Sequence, residues 1–97
     1  MQVFDDQVRG VAFGITGRVQ GVAFRWFGCR VADELGVKGW IRNRMDGRVE
    51  GEAFGDPSLL ERFLDRLRQG PLAARVDRLE WEVIPDQSAL QSFEIRS

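Results

Sequence analysis

The chain has no histidine and no tyrosine among its 97 residues. Imidazole is the one side chain whose unperturbed titration falls between pH 5 and 8. Without it, proton transfer is left to Asp, Glu, Lys38 and Cys29. A metal site would have to be built from carboxylates, since zinc and most transition metals take imidazole or several thiolates. Cys29 stands alone, so no intramolecular disulfide can form, and a reducing cytoplasm is the natural compartment. No uncharged run approaches the ~18 residues of a membrane span. The first seven residues carry Asp5 and Asp6 and no apolar run, unlike a signal peptide.

What is present describes an ordinary folded domain. Apolar residues make up 43% and charged ones 30%, a balance that excludes disorder. The length suits one domain, residues 1–97, since a second core would starve both. The net charge of -1 is unevenly spread. Between Gly17 and Arg48 lie seven basic residues (Arg18, Arg25, Arg30, Lys38, Arg42, Arg44, Arg48) and three acids (Asp33, Glu34, Asp46). A basic segment inside an acidic chain points to a local anion site more than to a nucleic-acid surface.

Hydrophobic periodicity orders the chain. Val11, Phe13 and Ile15 alternate as in a strand, which runs into the glycine-punctuated turn Gly17-Arg18-Val19-Gln20-Gly21. Phe24, Phe27, Val31 and Leu35 recur at helical spacing, and Gly36 stands where a C-terminal cap belongs. Gly28 within that helix costs roughly 1 kcal/mol against Ala. Residues 37–43 alternate again, Asp46-Gly47 signals a hairpin with both central positions at positive φ, and 48–54 return. Asp56-Pro57 and the Ser58…Glu61 pair announce a second helix with a Leu60, Phe63, Leu64, Leu67 stripe. Leu79, Trp81 and Val83 mark a fourth strand, and Phe93 to Ile95 a short last one. This β-α-β-β-α-β order predicts an α+β, ferredoxin-like sandwich. Its sheet should be antiparallel, with both helices on one face and a short extra C-terminal strand.

The chemistry concentrates between Ile15 and Arg25. A glycine-flanked loop that opens a helix can form an anion nest at the positive end of the helix dipole. Arg25, on the first turn, can add a bidentate fork to phosphate oxygens. The same pattern often serves only as a connection. The nucleotide-binding G-x-x-x-x-G-K-[ST] is absent, and Cys29 suits a half-buried helix position better than a nucleophile.

At this point the residues resemble a known family. Ile15-Thr16-Gly17-Arg18-Val19-Gln20-Gly21-Val22-Ala23-Phe24-Arg25 is similar to the first signature of the acylphosphatases. Gly39-Trp40-Ile41-Arg42-Asn43, with Asp46-Gly47-Arg48-Val49 and Gly55, is similar to the second. The resemblance implies hydrolysis of the carboxyl–phosphate bond of small acyl phosphates to a carboxylate and inorganic phosphate, without metal or cofactor. It implies a phosphate-binding loop of Gly17, Arg18, Val19, Gln20, Gly21, Val22 and Ala23, with Arg25 holding the phosphoryl oxygens. Asn43 would position the attacking water, at the end of a strand that should pair near the first one. A mixed anhydride has a carboxylate leaving group, so positioning and charge stabilisation can supply most of the catalysis.

Plainer readings compete. Asn43 before a hairpin can be a turn former; Trp26, Trp40 and Trp81 read as packing; Arg42, Arg44 and Arg48 read as exposed sheet charges. Ferredoxin-like sheets also bind RNA, and Arg9-Gly10-Val11-Ala12-Phe13 half-resembles an RNA-recognition signature. It lacks the stacking aromatics at Val11 and Thr16 and lies on the first strand rather than the third. A regulatory small-ligand domain without turnover is the third reading. Neither nucleic acid nor membrane is expected as a partner, and nothing demands more than a monomer.

Overall fold

The computed structural model describes residues 5–86 and 89–97. Five strands and two helices follow the expected order: β1 Gly10–Arg18, α1 Phe24–Leu35, β2 Lys38–Asn43, β3 Val49–Phe54, α2 Pro57–Gln69, β4 Arg75–Val83 and β5 Phe93–Arg96. They form one sheet in the order β4-β1-β3-β2-β5. The pairs β4/β1, β1/β3 and β3/β2 are antiparallel, as the α+β, ferredoxin-like reading requires.

The fifth strand departs from the expected antiparallel sheet, since β5 runs parallel to β2. The reason is topological. Val83, the last residue of β4, lies opposite Val11 at the start of β1, and Lys38 at the start of β2 lies at the same end of the sheet. Chain leaving β4 there crosses to the far edge along that end, and must then run up beside β2 in the same direction. β2 is also not a neighbour of β1, because β3 lies between them.

Alternation along β1 puts Val11, Phe13 and Ile15 on one buried face. Onto it pack Phe24, Val31 and Ala32 of α1 and Leu60, Phe63, Leu64 and Leu67 of α2, in one continuous core. Phe63 is fully buried at its centre, with its ring 5.8 Å from that of Phe13 on β1 and 5.4 Å from that of Phe93 on β5. Gly28 now has its reason: a Cβ there would lie 3.0 Å from Ile41 Cδ1, so a bare backbone lets α1 settle close onto β2. Phe27 and Leu35 of the expected helical stripe are only half-buried, and Gly28 and Ala32 take the inner positions. The β4 stripe is also shallower than its alternation suggests, with Val83 exposed, because β4 is an edge strand.

Helix ends are settled locally. Gly36 caps α1 in the left-handed conformation, its N–H bonding the carbonyls of Ala32 and Asp33. Asp56 is the N-cap of α2 with Pro57 at the first helical position, so Ser58 falls inside the helix and not at a cap. The Asp56 carboxylate instead pairs with Arg9.

Phe63→Ala should destabilise the fold by about 3–5 kcal/mol, the range for truncating a buried aromatic between several packed elements. Urea unfolding checks this, as a fall in midpoint at unchanged slope.

Candidate active site

The turn after β1 is shaped by close backbone approach. At the Thr16/Gly17 step the β1–β4 register shifts, and Gly17 takes φ 137°. A Cβ on Gly17 would lie 2.1 Å from the Arg75 carbonyl oxygen, so only glycine lets β4 pass. Gly17 and Arg18 therefore belong to β1, and the free loop spans residues 19–23.

The loop ends in a conformation that the sequence does not announce. Ala23, the N-cap of α1, has φ 62°, the one positive φ outside glycine among the described residues. An L-residue held there costs about 1–2 kcal/mol, and such outliers gather at functional sites. No side chain caps this helix end, and its first turn carries no acidic residue. The α1 N-terminus therefore keeps unshared N–H donors and its positive dipole end.

Val19, Gly21, Ala23 and Phe24 line a cavity of about 180 Å³ together with Arg25, Trp26, Asn43 and Ile95. Arg25 is half-buried and makes no ion pair among the described residues. The basic neighbours differ. Arg44 pairs with Asp46 at 3.0 Å and Glu50 at 2.9 Å, Arg48 with Asp46 at 2.8 Å, and Arg42 with Glu50 at 2.5 Å. Hydrogen bonds from the side chain and backbone N–H of Arg48 hold the Asp46 carboxyl far below its ordinary range. These arginines are exposed sheet and hairpin charges, as expected, and the three of them share the two carboxylates of Asp46 and Glu50.

Asn43, the last residue of β2, brings its side chain to the same cavity. Its Oδ1 is buried and finds no hydrogen-bond partner among the described residues. A buried acceptor left so is rare and costly unless something else meets it.

One side chain ties the two halves together. Gln20 Nε2 donates to the carbonyl of Arg44 at 2.7 Å and to that of Arg48 at 2.9 Å. Those residues close the β2–β3 hairpin, where the Arg44 N–H donates to the Arg48 carbonyl at 2.7 Å. Within the hairpin only Gly47 has positive φ, at 95°; Asp46 does not, because the loop runs over residues 44–48 rather than two. Asn43 is thus held against the loop by the residue next to it.

Of the residues expected in the site, Val19, Gly21, Ala23, Arg25 and Asn43 meet at the cavity. Gly17, Arg18, Gln20 and Val22 do not reach its wall; the first two lie in β1 and Gln20 turns to the hairpin. Trp26 was expected to pack, but it is 58% exposed, because helix position 3 of α1 faces the cavity mouth. Trp40 and Trp81 are half-buried, as expected. The contributions of Gln20's side chain, Ala23's φ and Ile95 carry no mark in the sequence. Cys29 is half-buried, its Sγ 3.3 Å from the Phe93 carbonyl, and burial pushes its thiol pKa up. Among the described residues no cluster of three His, Cys, Asp or Glu could hold a metal ion, and no helix is long and apolar enough to cross a membrane.

Comparison with known proteins bears on this cavity. The family model for acylphosphatase matches residues 11–95. An acylphosphatase of Koribacter versatilis is 49% identical over 81 residues, covering 84% of this chain and 74% of the other. One from Thermococcus kodakarensis is 47% identical over 83 residues, covering 84% and 88%. The crystal structure of acylphosphatase from Bacillus subtilis superposes with a TM-score of 0.87 at 32% identity, covering 91% of this chain and 98% of that one.

Relief of the left-handed strain should be measurable. Ala23→Gly removes about 1–2 kcal/mol of strain and adds about 0.4–1 kcal/mol of unfolded-chain entropy. The urea midpoint should rise by the equivalent of about 0.5–1 kcal/mol; a fall would show that Ala23 is unstrained.

Proposed function

Since the chain belongs to the acylphosphatase family, we propose that the 19–23 loop, Arg25 and Asn43 are the parts with which it works. The protein hydrolyses the carboxyl–phosphate bond of acyl phosphates, giving a carboxylate and inorganic phosphate. The observation that carries the assignment of roles is the convergence at one cavity of an unpaired guanidinium, an uncapped helix N-terminus and a buried, unpartnered amide oxygen.

In this reading the phosphoryl oxygens sit against backbone N–H groups of the loop and the first turn of α1. Arg25 supplies the countercharge and a fork of donors. Gly17 and Arg18 anchor the loop in the sheet, and Val22 and Gln20 complete its turn. Asn43 Oδ1 accepts a hydrogen bond from the attacking water and so aims its lone pair at phosphorus. The water oxygen bonds to phosphorus as the phosphorus–acyl oxygen bond breaks, and the carboxylate leaves with the electron pair. A phosphoryl oxygen takes the water proton, so no side chain changes charge. Charge placed before the reaction begins does the rest. No metal or cofactor enters these steps. One chain supplies every group at the cavity, which supports action as one folded domain and as a monomer. A lone half-buried thiol supports a reducing cytoplasm as its place of work.

Two variants separate the roles. Arg25 touches the anion in ground state and transition state, so Arg25→Ala should weaken inorganic phosphate as a competitive inhibitor by about ten-fold or more and lower kcat. Asn43 touches only water. Asn43→Ala should leave phosphate Ki nearly unchanged while kcat falls ~10²-fold, and the urea midpoint should hold or rise because a buried unsatisfied acceptor is removed. Parent-rate hydrolysis by Asn43→Ala would reduce Asn43 to a turn residue.

The pH profile gives an independent check. With no imidazole in the chain, kcat should vary by less than about two-fold between pH 6 and 8 and survive EDTA. A bell-shaped profile in that window, or loss with EDTA restored by a divalent ion, would overturn the mechanism.

A further inference from the structure

Among the described residues, nine of the fourteen basic side chains pair with a carboxylate. Arg18, Arg25, Arg30, Lys38 and Arg62 do not. Three of these five lie in one stretch. Residues 7–32 hold Arg9, Arg18, Arg25 and Arg30 and no acid, in a chain with fifteen acids. That stretch supplies β1, the loop and most of α1. The cavity wall is also without a carboxylate. A cleft lined by one sign of charge focuses its field and concentrates counter-ions.

Arg25 stands in the wall itself, but Arg30 does not. Arg30 is exposed, and its guanidinium carbon lies 4.9 Å from the centroid of the Trp26 ring. Residues four apart share a helix face, and long side chains lean back toward the helix N-terminus. Arg30 therefore reaches from the second turn of α1 toward the first, where Trp26 lines the cavity. The negative face of the ring holds the cation there. The next acids along the helix leave that charge standing. Asp33 makes no ion pair among the described residues, and Glu34 pairs with Arg66 at 3.3 Å.

We propose that Arg30, seated on Trp26, is a capture residue whose charge draws the phosphoryl dianion into the cavity without touching it. This rests on the functional reading above. Contact with the phosphate oxygens belongs to Arg25 and the loop, while Arg30 acts through space. One ring and part of the cavity separate it from a bound phosphate. At such a distance, roughly 10 Å, a unit charge changes the local concentration of a dianion by about three-fold at about 10 mM salt. Salt of about 1 M, with a Debye length of ~3 Å, removes the effect. Substrate already bound has been drawn in, so kcat should not depend on Arg30.

The test measures kcat/KM for acetyl phosphate and Ki for inorganic phosphate at about 10 mM and about 1 M salt. The variants are Arg30→Gln, Arg30→Glu and, as a control of equal charge change, Lys38→Glu. Lys38 opens β2, and Asn43 closes it ~17 Å away. At low salt kcat/KM should fall about three-fold in Arg30→Gln and about eight-fold in Arg30→Glu, with phosphate Ki rising alike. Lys38→Glu should lose no more than about three-fold. At high salt each variant should match the parent chain measured beside it, and kcat should hold throughout. Three results overturn the capture role and leave the functional reading standing: parent values in Arg30→Glu at low salt, an equal loss in Lys38→Glu, or a loss that persists at high salt. A parent chain that hydrolyses no acetyl phosphate overturns the functional reading, and phosphate affinity by calorimetry across the same salts then decides the capture role.

Discussion

The pairing of β3 between β1 and β2 is the constraint from which the site follows. Both neighbours are antiparallel to β3, so β1 and β2 run the same way and finish at the same end of the sheet. That end is where the loop after β1 turns into α1, and where β2 stops at Asn43. Two segments more than twenty residues apart are thereby delivered to one place by backbone hydrogen bonds, before any side chain is considered. Gln20 then fixes what the sheet leaves loose, bridging the loop to the hairpin carbonyls.

Electrostatics sorts the arginines that this geometry gathers. Those on β2 and the hairpin, Arg42, Arg44 and Arg48, share the two carboxylates of Asp46 and Glu50 across short distances. Arg25 alone of the cavity wall brings a charge without such a partner among the described residues. Among the described residues, the one buried unpartnered side-chain oxygen and the one non-glycine positive φ lie at the same cavity, where α1 begins with no side-chain cap. Local costs tolerated together at one spot are the mark of a site that a ligand completes.

Much of this was legible in the residues. Alternation and helical spacing marked every element, because each strand or helix buries one face. Gly36 and Asp56-Pro57 set helix limits through local backbone chemistry that needs no tertiary context. The loop, Arg25 and Asn43 were legible through two long motifs at matching separation. The direction of β5 was not, since it depends on which end of the sheet the chain leaves after β4. Trp26 was misread because an aromatic beside a helical stripe looks the same whether the helix end is covered or open. Ala23 gives no sign of its left-handed backbone, and Ile95 acquires its place only once β5 has joined β2.

The strand order has a consequence for how the molecule is made as well as how it acts. Val11 pairs with Val83 and Gly10 with Phe54, so the middle of the sheet is stitched from segments remote along the chain. Closing such large loops costs entropy before any contact repays it, and topologies of this kind fold in milliseconds to seconds rather than microseconds. The hairpin of β2 and β3 can form early and on its own terms. The cavity cannot, because its far wall waits for β5 to cross the sheet. The cavity therefore depends on long-range closure, since Ile95 reaches its wall only through the pairing of β5 with β2.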